Sequence, residues 1–296
     1  MNGILPLWKP AGLTSHDCVA KLRRIFQTKK VGHTGTLDPE VEGVLGICIG
    51  RATRVSPFLT QMDKTYIAEC SLGQATETED AHGAVIDEKE VECFPSEAEI
   101  VDVLKTFSGE IIQVPPMYSA VKVKGKRLYE YARNNEYVER PSRTVEIYAI
   151  DLLHVDSNSH TFSFSVKCSA GTYIRTLCVD IGKALGFPAH MSQLERTEVG
   201  PFTASETITF DELEQLKETG QLAQSLVSIE DALISFDRMN VDQVTAKKVS
   251  HGQKLHVEKD SFTSDHLLVM HDEELLAIYE RHPENNDMIK PYRVFV

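Results

Sequence analysis

The stretch KKVGHTGTLDPEVEG, residues 29–43, decides how this chain is read. Three glycines, a proline and few apolar side chains make it a long loop between packed elements, and long loops inside compact domains are often functional. Its flanks differ from it. Upstream, Thr14 and Asp17 mark a helix start; Cys18, Val19, Leu22, Ile25 and Phe26 then recur at helical spacing, leaving Lys21, Arg23 and Arg24 on an outer basic face. Downstream lies the apolar run 44–49. Inside the loop, Asp38 precedes Pro39 and lies near the imidazole of His33. An Asp-Pro step is also a common turn initiator, and a loop histidine is usually just solvated. The residues alone therefore leave a functional carboxylate and a plain turn both open. A phosphate-cradling P-loop is excluded, because no Gly-Lys-Ser/Thr follows the glycines, and GxGxxG is absent.

Further along, 66–72 reads as a strand and 97–107 as a helix. Segments 145–155 and 162–168 read as a strand pair joined by a polar turn at 156–160. Ile174, Leu177, Cys178, Ile181 and Leu185 mark another helix, closed by Gly186 and Pro188. Strands and helices alternate irregularly, which predicts an α+β fold with a mixed, mainly antiparallel sheet. After a helical stretch at 210–233, short apolar segments at 244–249, 255–257, 267–270, 275–279 and 292–296 fit a small β-rich module. The expected boundary lies near Phe236, giving units 1–236 and 237–296.

Composition narrows the class. With 296 residues, 42% of them hydrophobic, the chain can bury a substantial core. Its beginning, MNGILPLWKPAG, offers neither a signal-peptide core nor a membrane span, so a soluble cytoplasmic protein without membrane partners is expected. The six cysteines, at 18, 48, 70, 93, 168 and 178, form no CxxC pair and no zinc spacing, and are read as reduced thiols. A net charge of -13 argues at first against a polyanionic partner. The distribution is uneven, however. Residues 1–60 carry eight Lys/Arg against four Asp/Glu and 117–133 carry five against one, whereas 77–102 carry one against ten. A locally basic face on an acidic protein is compatible with RNA.

Five ordered segments carry a family resemblance: LWKPAGLTSHDCV (7–19), KKVGHTGTLDPEVEGVLGICIGRATR (29–54), DKTYIAECSLGQATETEDAHG (63–83), PPMYSAVKVKGKRLYEYAR (115–133) and CSAGTYIRTLCVDIG (168–182). Together they resemble the pseudouridine-55 synthases, which act on the T-loop uridine of tRNA. The resemblance implies a redox-neutral isomerase that needs no metal or cofactor, works on the tRNA T stem-loop and is a monomer. It makes Asp38 the catalytic carboxylate, Arg175 the partner holding it ionised, and Tyr66 the ring stacked on the flipped base. Asp80 would contact the uracil edge and His33 would fill the space that the base vacates. Lys9, Lys64, Tyr173 and Leu194 match positions lining the cleft. The basic run Lys122, Lys124, Lys126 and Arg127, interleaved with Tyr118, Tyr129 and Tyr131, suits the RNA backbone. The resemblance also makes 237–296 a PUA-like RNA-binding module. Here the sequence departs from the pattern: Asp272, Glu273 and Glu274 stand where relatives tend to have a glycine turn, and eight basic residues face eleven acidic ones.

Overall fold

The computed structural model describes residues 1–258 and 261–295. Its larger sheet has nine strands, the main path running Gly3–Lys9, Glu42–Ile49, Ala189–Val199, Lys64–Leu72, Thr161–Cys168, Arg143–Asp156 and Gly109–Gln113. Neighbours on this path pair antiparallel except at one seam, where Glu195 and Arg196 run parallel to Glu42 and Gly43. The sheet is thus mixed and mainly antiparallel, as expected. The seam closes tightly on Gly43: a Cβ there would lie 2.2 Å from the Arg196 carbonyl oxygen, and φ is +121°. Only glycine fits.

Two of the helices that pack on this sheet position the site. Ser15–Ile25 starts at a capping box in which Thr14 Oγ1 accepts from the Asp17 N–H and the Asp17 carboxylate accepts from the Thr14 N–H, both at 3.0 Å. It buries Cys18, Val19, Leu22 and Ile25 against Leu5, Leu7, Leu45 and Ile47. Ile174–Ala184 buries Ile174, Leu177, Cys178 and Ile181 against Ala68, Phe162, Phe164 and Val166. Part of the expected loop is strand, since Val31–His33 pairs with residues 47–49 of Glu42–Ile49. The irregular backbone that remains, 34–41, is the segment that carries Asp38.

Several expectations need correction. The stretch 210–233 is not one helix but Phe210–Glu218, a 3-10 turn at Leu222–Ser225 and a short helix at Ile229–Ala232, because Gly220 takes φ +71° and stops the first. Segment 244–249 is the core of a helix, Gln243–Ser250, whose N-cap is Asp242 accepting from the Thr245 N–H. It is not a strand. The helix at 97–107 ends earlier, as Glu97–Lys105. The central strand Ala189–Val199 has no counterpart in the sequence reading.

The C-terminal segments form a five-stranded sheet in the order Asp237–Asn240, His266–His271, Glu274–His282, Asn285–Val294 and Leu255–His256. Val296, the end of one expected segment, lies outside the described residues. One face of this sheet shares a core with the larger unit. Leu268, Met270, Leu275, Ile278 and Phe295 pack in the same cluster as Ile4, Val44, Ala52, Leu59 and Val199. Arg51 and Arg54 reinforce the junction by donating to the Phe295 and Val294 carbonyls, at 3.1 and 2.8 Å. All six cysteines are free thiols, and only Cys93 is exposed. Among the described residues, no helix is long and apolar enough to cross a membrane.

Candidate active site

The loop 34–41 and the start of Ile174–Ala184 meet over a cavity of about 250 Å³, lined among others by Asp38, Lys64, Tyr66, Tyr173, Arg175 and Leu194. Asp38 and Arg175 lie far apart in sequence and are joined here, with Arg175 Nε 3.0 Å from Asp38 Oδ2. Each of the three guanidinium nitrogens is engaged. Nη1 donates to the Thr78 carbonyl at 2.9 Å and Nη2 to the Tyr118 carbonyl at 3.0 Å, while Asp80 Oδ2 lies 3.9 Å from Nη1. Only 6% of the Arg175 side chain is exposed, against 42% for Asp38. One partner is therefore an anchored part of the wall and the other faces the space. Burial raises the Asp38 pKa above the ordinary carboxylate value, and Arg175 opposes that rise without cancelling it. The expected pairing is present, but its net result is a carboxylate harder to ionise than a free one.

Tyr66 sits on the central strand Lys64–Leu72, almost wholly buried, with its hydroxyl pKa raised chiefly by burial. Lys64 donates to the Thr60 and Met62 carbonyls; burial brings its pKa down to about 8. Tyr173 is fixed through its backbone by the buried Gln113, which accepts from its N–H at 3.0 Å and donates to its carbonyl at 3.1 Å. Leu194 lines this cavity and an adjoining one that also holds Asp38, Asp80 and His82.

Other expected residues lie further back. Asp80 accepts from Thr78 Oγ1 at 2.7 Å and from the His82 N–H at 3.0 Å, and it faces the adjoining cavity. His33 accepts at Nδ1 from the Gly35 N–H, and burial lowers its pKa, which keeps the ring neutral. Lys9 does not line the cleft. It is completely buried, and its ammonium donates to the Pro10, Pro39 and Val41 carbonyls at 2.8, 2.9 and 2.7 Å, clamping the loop just after Asp38.

Sequence reasoning missed the residue that performs the same task from the other side. Arg196, 1% exposed, donates from Nε to the Val44 carbonyl at 2.8 Å and reaches the Gly35 and Thr36 carbonyls at 3.3 and 3.5 Å. It also lines the cavity and lies 6.0 Å from the Tyr66 ring. A charged side chain in a polar run gives no burial signal; only the strand's central place in the sheet does. Glu79 was missed too. It takes a left-handed backbone beside Asp80 and accepts from Thr176 Oγ1 at 2.7 Å.

The basic run forms a two-residue ladder, Lys122–Val123 with Lys126–Arg127. Lys122 and Lys124 point into solvent, whereas Lys126 pairs with Glu136 at 3.1 Å. Of the interleaved tyrosines, Tyr131 is core, its hydroxyl donating to the Val123 carbonyl at 3.0 Å. The Tyr129 ring has the guanidinium carbons of Arg127 and Arg133 at 5.8 and 5.4 Å from its centroid. Among the described residues, no three His, Cys, Asp or Glu side chains converge as metal ligands.

The chain superposes over 99% of its length on 85% of a chain from the crystal structure of a Cbf5-Nop10-Gar1 complex, with TM-score 0.75 and 31% identity. A second solved structure, an H/ACA RNP bound to a substrate RNA containing 2'-deoxyuridine, matches over 99% of this chain and 85% of that one, with TM-score 0.75 and 28% identity. The fold is that of the pseudouridine synthases. The model for the TruB family pseudouridylate synthase N-terminal domain matches residues 23–174, and that for the tRNA pseudouridylate synthase B C-terminal domain matches residues 175–234. The chain belongs to this TruB family. It is 54% identical over its whole length to 98% of the tRNA pseudouridine synthase B of Oceanobacillus iheyensis. It is 52% identical to that of Staphylococcus saprophyticus, over 99% of each chain.

Proposed function

We propose that this chain isomerises the T-loop uridine of tRNA, position 55, to pseudouridine after flipping that nucleotide into the Asp38 cavity. The observation that carries the reading is the anchored Arg175 aiming a half-open carboxylate into a cavity walled by Tyr66. Asp38 acts on the nucleoside so that the N1–C1' bond breaks; the detached uracil turns, C5 bonds to C1', the C5 proton is lost to a base and N1 takes one up, so that the product is an isomer of the substrate. Nothing is oxidised or reduced, so the chemistry calls for no redox cofactor. Tyr66 stacks on the base, and His33 offsets part of the stacking lost on flipping, a cost of a few kcal/mol. Asp80 reads the uracil edge, and Lys64, Tyr173 and Leu194 shape the cleft.

Residues 1–236 carry the chemistry, and 237–296 form a PUA-like RNA-binding module. The exposed Lys122 and Lys124, with Lys126 and Arg127, meet phosphates of the T stem-loop. The protein acts as a cytoplasmic monomer. Incubation with an unmodified tRNA transcript, followed by pseudouridine mapping, tests the reading. Conversion of the T-loop uridine is expected, with Asp38→Asn still binding tRNA but slower by several orders of magnitude, because an amide is a far weaker nucleophile or base. Absence of pseudouridine from the T loop, or release of free uracil, overturns it.

A further inference from the structure

Two residues of the cavity wall, Gly171 and Tyr173, are backed by an arginine that none of the chemistry above uses. Arg143 opens the strand Arg143–Asp156, and its guanidinium carbon lies 4.6 Å from the centroid of the Tyr173 ring. Nε and Nη2 are buried without any hydrogen-bond partner. Nη1 is directed at Gly171, where a Cβ would lie 3.0 Å from it; with φ at +88° and no side chain, Gly171 leaves that nitrogen uncovered. Nearby arginines are matched with acids, Arg140 with Glu79 and Arg175 with Asp38 and Asp80. Among the described residues, Arg143 has no such partner. A partly desolvated guanidinium without counter-charge is costly, and it is unexpected in a chain of net charge -13 with carboxylates to spare.

We infer that Arg143 is a binding site for one RNA backbone phosphate, the one flanking the flipped uridine, with Nη1 over Gly171 as the contact atom. The inference rests on the RNA-modifying function proposed above. A phosphate oxygen supplies the missing counter-charge and accepts a charge-assisted hydrogen bond, which arginine favours geometrically. Held there, the backbone beside the target is pinned while the base occupies the cavity.

The test is a double-mutant cycle on the full chain. Binding of a T stem-loop oligonucleotide is measured for wild type, Arg143→Gln and Arg143→Lys, with single neutral methylphosphonate linkages placed on either side of the target uridine. Arg143→Gln should weaken binding of the native oligonucleotide roughly tenfold or more, and Arg143→Lys less. One flanking methylphosphonate should weaken wild type by a like factor and leave Arg143→Gln unchanged. If the variant binds as wild type, or if every neutral linkage weakens both proteins equally, Arg143 only supports Tyr173 and the inference fails. Pseudouridine formation by wild type is scored in parallel. Its absence sinks the parent reading whatever the cycle gives, whereas an active wild type without coupling sinks this inference alone.

Discussion

Two opposed influences act on Asp38, and their balance is measurable. Burial raises its pKa and Arg175 lowers it, with burial the larger. If the ionised form is the active one, the single-turnover rate falls as pH drops through that raised value. Arg175→Gln removes the opposing guanidinium, so the acid limb should move to higher pH in rate profiles recorded from about pH 4 to pH 8. A limb that stays put or moves down would show that Arg175 does not tune Asp38. Arg196 makes a different prediction. Its hydrogen bonds go to the carbonyls of Gly35 and Thr36 on the loop that presents Asp38, and of Val44 on the strand that follows it. Arg196→Met keeps much of the volume but strands those acceptors, so stability should fall by about 2–4 kcal/mol in urea titrations, with slower turnover at saturating tRNA. A variant as stable as wild type would mean that the loop holds itself.

Legibility at the scale of elements followed the side chains that each element buries. Ser15–Ile25 was readable because Thr14 and Asp17 cap it and its inward positions are apolar. Ala189–Val199 was not, although it lies between Glu42–Ile49 and Lys64–Leu72 in the sheet, because His190 and Arg196 occupy buried positions where hydrophobic residues would give a period. The helix Gln243–Ser250 was misread because Val244 is exposed while only Ala246 and Val249 are buried, too few to set a spacing. At the site, Asp38, Arg175 and Tyr66 were legible only through motif resemblance; the clamps Lys9 and Arg196 act through backbone carbonyls, which no side-chain pattern encodes. One departure noted in sequence has a structural counterpart. The hairpin between His266–His271 and Glu274–His282 turns on Asp272 and Glu273, both left-handed at φ +47° and +64°. Such two-residue turns favour Asn-Gly. Asp272→Asn with Glu273→Gly should raise stability by about 0.5–1 kcal/mol, read as a higher melting temperature. No change would indicate that neighbouring contacts already relieve the strain.

For the whole molecule, the shared core matters more than the apparent division near Phe236. A fragment ending there loses Leu268, Met270, Leu275, Ile278 and Phe295 from the cluster that contains Ile4 and Val44. Burial of that size is worth several kcal/mol, so the 1–236 fragment should unfold at clearly lower urea than the full chain. Every side chain lining the two cavities at Asp38 precedes residue 236, so its folded fraction should still turn over. Equal stability would make the junction a mere contact, and a folded but inert fragment would place the C-terminal sheet in the active site.

That junction also sets how the molecule can measure a substrate. Because the C-terminal sheet is welded to the larger one through a common interior and the Arg51 and Arg54 ties, the span between any grip it offers and the Asp38 cavity is constant. If the C-terminal sheet grips RNA as proposed, the two contact points act as a caliper with fixed jaws. An RNA of the wrong length between them would then have to bend itself, so discrimination would fall on the stiffness of the RNA.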